Sequence, residues 1–223
     1  PHGLCAILAQ KKSTGQYKPV KYASRALDDV ESRYSQTERE ALAAWWACEH
    51  FHYYIYDKHF TIKTDHKPLE KLLSAKSNPP PRIQRWMLYL QAYHYDIVYI
   101  KRDPIAADYL SRYHISNTKI PKSSKHTEQY VDMIIDHAIP KTVTVEEVQQ
   151  ATNSDQILQK VISAIHAKHW KNHKNIAPYF KLRNNLTTTN NLLLYQNRII
   201  IPTSLKTRIL SFAHQNHLGI TNT

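Results

Sequence analysis

The chain has 223 residues, 42% of them hydrophobic, which excludes a disordered chain and allows one large or two small domains with buried cores. Thirty Lys and Arg against 18 Asp and Glu give a net charge of +12, carried by both halves (17 basic to 12 acidic residues up to Tyr113, 13 to 6 beyond), so a polyanionic partner is expected, nucleic acid before an anionic membrane. Two cysteines, Cys5 and Cys48, neither in a Cys-x-x-Cys pair, exclude a disulfide scaffold and a zinc site built on paired thiolates, and fit a reducing, intracellular compartment. No apolar run of membrane-spanning length occurs, so membrane insertion is not expected.

Gly3 to Gln10 has the length and apolar content of a buried strand. Lys11 to Gly15 reads as a turn and Tyr17 to Ser24 as a second strand, together a hairpin, with Pro19 near a strand start or on an edge. Ser35-Gln-Thr-Glu38 matches a capping box and opens a long helix. One stripe of that helix runs Glu40, Ala43, Ala44, Ala47, Cys48, Phe51, Tyr54, Ile55, small residues that would let it pack closely on a sheet. Glu40 lies at the amino end of this stripe, where a carboxylate is costly unless paired or metal-bound; a solvated helix edge is the plainer account.

Phe60 to Lys63 reads as a short buried strand delivering Asp65 to its carboxyl end, with a Pro-started helix at Pro68 immediately after. An acidic residue at a strand-to-helix switch is a common way to build an α/β active site, and equally a common turn former or helix cap. After the break Asn78-Pro-Pro-Pro81, a helix runs from Arg82 to about Gln91, its core row being Ile83, Met87 and Leu90. Arg82, Arg85 and Trp86 on its other turns either grip nucleic acid or form a solvated face around a core Trp. Tyr95 to Lys101 alternates as a strand, and Ala106 to Arg112 reads as a short helix carrying Asp108, which in isolation suits a first-turn helix charge.

Beyond Tyr113 the polar Ile115 to His126 reads as a linker, and Tyr130 to Pro140 as a short apolar piece, strand or docking segment. Thr144 to Glu147 is a second capping box. Asp155 opens a helix with the stripe Ile157, Leu158, Val161, Ile162, Ile165 and Trp170 near its end. Leu192 to Tyr195, the turn Gln196-Asn197 and Arg198 to Ile201 form a hairpin; Ser204 to Ala213 is helical and ends at His214 and His217.

Three motifs in one order, YSQTEREAL, FTIKTDHKPL and AADYLSR, with PRIQRWMLYLQAYHYDIVYIK between the last two, resemble the RNase H domain that follows reverse transcriptase in gypsy-like LTR retrotransposon and retroviral polyproteins. The resemblance covers roughly residues 1–113. It implies an α/β fold, an RNase H-like mixed sheet flanked by helices, whose first strand and first catalytic Asp precede Pro1, and Mg²⁺-dependent cutting of the RNA strand of RNA/DNA hybrids. Glu40, Asp65 and Asp108 would be three of four catalytic carboxylates; Lys101-Arg-Asp-Pro104 departs from the family's usual Gly-Lys-x-Asn turn. Hydrolysis of this kind uses two Mg²⁺ about 3.5–4 Å apart, held by hard oxygen ligands.

Helix, hairpin ending in Pro, helix, then His-x-x-His-x-Gly-Ile-x-x-Thr is similar to the start of the integrase zinc-binding module of the same polyproteins. His214 and His217 would be half of a zinc site completed by a downstream Cys pair. The expected organisation is therefore an RNase H-like domain over 1–113, a linker over 114–140 and a small, mostly α, integrase amino-terminal region with a β-hairpin over 141–223. Expected partners are an RNA/DNA hybrid and the rest of reverse transcriptase and integrase. The chain as it stands, read as lacking one ligand and a central strand, is expected to cleave negligibly. The alternative is a non-catalytic nucleic-acid-binding remnant of the same polyprotein.

Overall fold

A computed structural model describes residues 3–74, 77–101, 123–139, 143–167, 170 and 174–215. The chain divides into two compact units, 1–128 and 129–223.

In the first unit, strands β1 (Gly3–Lys11) and β2 (Tyr17–Ala26) pair antiparallel around a turn in which Gly15 adopts φ +82°, a conformation glycine takes without strain. A register shift between Leu8 and Ala9 sits opposite Pro19, which has no N–H for the ladder there. Helix α1 (Gln36–His50) starts at the expected capping box: Glu38 N donates to Ser35 Oγ at 3.3 Å and Ser35 N to Glu38 Oε2 at 2.9 Å. A short helix α2 (His52–Ile55) follows, then β3 (His59–Thr64), the Pro-started α3 (Pro68–Leu72), α4 (Pro81–Leu90) and β4 (His94–Tyr99). β3 and β4 run parallel, Phe60 opposite Tyr95 and Ile62 opposite Ile97, with α3 and α4 in the crossover that parallel pairing requires.

These elements form the expected mixed α/β arrangement: one antiparallel and one parallel ladder with helices packed against them. Three local expectations change. β3 alternates exposed and half-buried positions and is not a fully buried strand, because Phe60 and Ile62 pack on the core while Thr61 and Lys63 face solvent. α1 buries Ala41, Leu42, Trp45 and Trp46 more deeply than Ala43, Ala44 and Ala47 of the expected stripe, of which Cys48 is buried, because it is packed from two sides. Trp45 stacks on Trp86 of α4 (centroids 6.5 Å, 19°), and the Trp46 ring lies 5.6 Å from the guanidinium of Arg25 in β2. The stretch 114–140, expected as a linker, contains helix α5 (Ser123–Ala138), which buries Thr127, Val131 and Ile135 at four-residue steps.

In the second unit α6 (Val145–Ser154) starts at the expected Thr144–Glu147 capping box, and α7 (Gln156–Ala167) is capped by Asp155 Oδ1, which accepts from Ile157 N and Leu158 N at 3.0 and 3.1 Å. A short helix α8 (Ala177–Leu182) leads into β5 (Leu186–Thr189), β6 (Leu192–Tyr195) and β7 (Arg198–Ile199), an antiparallel sheet with β6 central. β5 adds a strand to the expected hairpin through the two-residue turn Asn190-Asn191, both at positive φ. The run Leu192-Leu-Leu194 is apolar throughout because β6 is buried on both faces. Leu193 joins one core cluster with Leu158 and Val161, whereas Leu192 and Leu194 join another with Val131 and Val148. Helix α9 (Thr203–Gln215) closes the described chain.

Candidate functional site

The carboxyl end of β3 and the first turn of α1 meet at one point. Thr37 Oγ1 is hydrogen-bonded to His66 Nε2 at 3.1 Å, and Thr37 is buried. Glu40 lies one helical turn after Thr37 and therefore on the same side of α1; it is half-buried and accepts from Gln36 Nε2 at 2.7 Å. Asp65 immediately precedes His66 and is exposed. The turn that carries it is shaped by Thr64, whose Oγ1 accepts from His66 N at 3.1 Å and whose carbonyl accepts from Ile100 N at 2.8 Å. The second of these extends the parallel ladder past β4, so the chain leaves β4 at the same end of the sheet that holds Asp65. Glu70 of α3 fixes that end by accepting from Tyr99 N at 2.5 Å.

Thr37, His66, Thr64 and Glu70 were not singled out in the sequence. The polar doublet Asp65-His66 after a strand is the one signal that pointed to them.

Glu38, next to Thr37 in the first turn of α1, belongs to a buried ionic cluster. Arg82, 3% exposed, donates from Nη1 to Glu38 Oε1 at 3.0 Å and from Nε and Nη2 to Glu128 at 2.7 and 2.8 Å, and Tyr34 donates to Glu128 Oε1 at 2.7 Å. Burial works against the guanidinium's charge, but Glu38 and then Glu128 more than offset it and hold Arg82 above the ordinary arginine range. Burial likewise raises the carboxyl of Glu128, and the hydrogen bonds and charge of Arg82 bring it below the ordinary range. Burial pushes the Tyr34 hydroxyl up. Arg82 and Trp86 are thus corrected from nucleic-acid contacts to structural residues: the first is enclosed by two carboxylates, the second is 1% exposed and stacked in the core. Arg85 is half-buried, donating to the Tyr89 hydroxyl at 3.1 Å with its guanidinium over that ring.

Asp108 and His217 lie outside the described residues; for His214 only the backbone, in the last turn of α9, is described. Among the described residues no three His, Cys, Asp or Glu converge on a point that would hold a metal ion. The donors that Glu40 and Asp65 offer are carboxylate oxygens beside solvent, the hard ligands that suit Mg²⁺, which keeps part of its water shell. Among the described residues no helix is long and apolar enough to cross a membrane.

The first unit thus combines an antiparallel hairpin, β1–β2, with a parallel crossover from β3 to β4. Residues 1–93 match the family described as the RNase H-like domain found in reverse transcriptase. The chain is similar to the Retrovirus-related Pol polyprotein from transposon 412 of Drosophila melanogaster, at 44% identity over 52% of this chain and 9% of that protein. It is also similar to the corresponding polyprotein from transposon 297 of the same species (33%, over 56% of this chain and 12% of that protein). The Transposon Tf2-3 polyprotein of Schizosaccharomyces pombe matches at 30% over 69% of this chain and 12% of its own length. The chain thus spans about a tenth of the curated relatives it matches. Over residues 1–93 the chain is thus similar to the RNase H-like domain found in reverse transcriptase, and its relatives are retrotransposon Pol polyproteins.

Proposed function

We propose that residues 1–113 act in a gypsy-like Pol polyprotein as a ribonuclease H, hydrolysing the RNA strand of RNA/DNA hybrids formed during reverse transcription. The observation that carries this reading is the Thr37–His66 hydrogen bond, which joins the helical turn before Glu40 to the turn holding Asp65. The Ile100 N–H bonds the Thr64 carbonyl at 2.8 Å, next to the turn that holds Asp65, which supports the same reading. RNase H-like domains generally use Mg²⁺, and Glu40, Asp65 and Asp108 are the residues that would hold it. When bound, a pair of such ions lowers the pKa of water and neutralises charge on the entering and leaving oxygens.

The chain's own part is to hold these side chains in place. Thr64 and Thr37 fix the Asp65-His66 turn, and the Ser35–Glu38 cap fixes the first turn of α1. The reading extends to residues 141–223 as the amino-terminal region of an integrase, with His214 and His217 as half of a zinc site. The remaining polyprotein domains and the hybrid are the partners, in a virus-like particle or the nucleus.

The test is RNA cleavage in a labelled hybrid by a protein that joins this chain to a preceding polymerase segment. Asp65→Asn, Glu40→Gln and Asp108→Asn each keep shape and remove charge. A loss of at least a hundredfold in Mg²⁺-dependent cutting is expected for each, on the scale by which well-placed electrostatic groups act. Parental rates in Asp65→Asn would overturn the assignment.

A further inference from the structure

The β1–β2 hairpin carries a surface that the proposed nuclease edge does not use. Every residue from 9 to 22 is exposed, so the end of the hairpin stands clear of the core as a two-stranded arm. Between Gln10 and Ala26 the sequence has Lys11, Lys12, Lys18, Lys21 and Arg25 and no carboxylate. Two rings are capped by ammonium groups: Lys63 of β3 lies 3.5 Å from the centroid of Tyr17, and Lys21 lies 5.3 Å from that of Tyr54. The neighbouring Lys63 ammonium first, and then the charge of Lys11, hold the Tyr17 hydroxyl below the ordinary tyrosine range.

Lysines on an edge strand also discourage strand-to-strand association. That role asks only for charge, whereas here the charge is of one sign and has a definite position. Lys63 stands two residues before Asp65, about 7 Å along an extended chain, so its contact with Tyr17 brings the arm near the segment that carries the proposed site. A duplex lying on that edge would carry its phosphates onto the arm.

We infer that the β1–β2 arm is a second, sequence-independent contact for the phosphate backbone of a nucleic-acid duplex, made by Lys11, Lys12, Lys18 and Lys21 with Tyr17 as a hydrogen-bonding partner. Lys and Tyr are among the side chains that bond phosphate oxygens and set position without reading bases. The inference rests on the nucleic-acid substrate of the reading above, and its test is one of binding and not of cleavage.

The chain of residues 1–223 is titrated against a fluorescent RNA/DNA hybrid by anisotropy at several salt concentrations. It is compared with a variant carrying Lys→Gln at positions 11, 12, 18 and 21 and with a second carrying Lys→Arg at the same four. Four lost phosphate contacts reduce the slope of log K against log salt by about 3, with at least a tenfold loss of affinity at moderate salt. The Arg variant keeps the parental slope. Circular dichroism and melting of both variants follow the parent, since all four positions are exposed. An unchanged slope in the Gln variant overturns the inference. So does loss of binding to vesicles of anionic lipid with hybrid binding intact, which would make the arm a membrane contact. Cutting by the Asp65→Asn protein is scored in a separate cleavage assay and plays no part in the binding slopes, so failure of the nuclease reading and failure of this one are told apart.

Discussion

Glu38 serves two elements at once: one carboxylate oxygen accepts from Ser35 N at 2.9 Å and closes the cap of α1, and the other accepts from Arg82 Nη1 of α4 at 3.0 Å. The helix start that carries Thr37 and Glu40 is thereby anchored to the helix that supplies Trp86 to the core.

Glu38→Gln separates the two roles. Glutamine can close a capping box but cannot balance a buried guanidinium. Both side chains are nearly inaccessible, so removing one partner leaves an under-compensated charge, at a cost of about 3 kcal/mol, the low end of the range for buried pairs because Glu128 remains. Glu38→Ala loses the cap as well, about 1 kcal/mol more. Urea unfolding followed by tryptophan fluorescence reports the order parent, Gln, Ala; equal stability of parent and Gln variant would show that the ion pair contributes nothing.

The acid limb of stability follows from Glu128. Its carboxyl is buried, which raises its pKa, but the hydrogen bonds and charge of Arg82 prevail and its folded value is depressed. A depressed value means stability that is present above the unfolded glutamate pKa, about 4.3, and is lost as pH falls from there through the lower folded value. Arg82 stays charged throughout, so the loss is expected below about pH 4.3 and not near neutrality. Glu128→Gln flattens that limb and lowers stability at pH 7. A variant whose urea midpoint falls with acid as steeply as the parent's would remove Glu128 from the account.

What could be read from the sequence was local. The boxes at Ser35–Glu38 and Thr144–Glu147, the Pro68 helix start and the alternation of β4 each need only a few neighbouring residues, and each stands where it was expected. A core Trp86 was one of two readings of its helix, but the role of Arg82 was not readable, because its deciding partner, Glu128, is 46 residues away and no spacing rule connects them. The same pair explains α5. Its opening turns are polar, and its burial depends on Glu128 reaching Arg82 and on the row Thr127, Val131, Ile135. In α1, choosing the small-residue face presumed a helix packed on one side, and the Trp45–Trp86 stack supplies the second. Asp65 was legible as a strand-end carboxylate; its link to α1 through Thr37 and His66 joins residues 29 apart.

In the second unit Asp155 ties two helix starts together. Its Oδ1 caps α7, and its Oδ2 accepts from Thr203 N, at the start of α9, at 3.3 Å. Burial works to raise its pKa, and the backbone hydrogen bonds from Leu158, Thr203 and Ile157 hold it below the ordinary range. Asp155→Ala is expected to cost about 1–2 kcal/mol, the upper range for an N-cap because two helices lose a partner. Asp155→Asn retains acceptors and loses less. Thermal melts of the two variants, compared with the parent, decide it: coincident curves for Ala and parent would mean that the second helix start does not depend on this residue.

The Thr37–His66 contact makes a prediction about positioning that is separable from stability. Thr37→Val keeps the buried shape of the side chain and removes the hydroxyl 3.1 Å from His66 Nε2; Thr37→Ser keeps the hydroxyl. If the contact sets the distance between the turns of Glu40 and Asp65, Val weakens hybrid cutting on the order of tenfold, a modest share of what an ångström of misplacement can cost, and raises the Mg²⁺ concentration needed for half-maximal rate. Ser keeps both close to the parent. A shift in Mg²⁺ requirement distinguishes positioning from general weakening, because a partly unfolded population lowers the rate at every Mg²⁺ concentration without moving the midpoint. Val and Ser variants with the same midpoint as the parent would mean that α1 and the Asp65 turn are held in register by some other contact, and that the hydrogen bond on which the site was built is incidental.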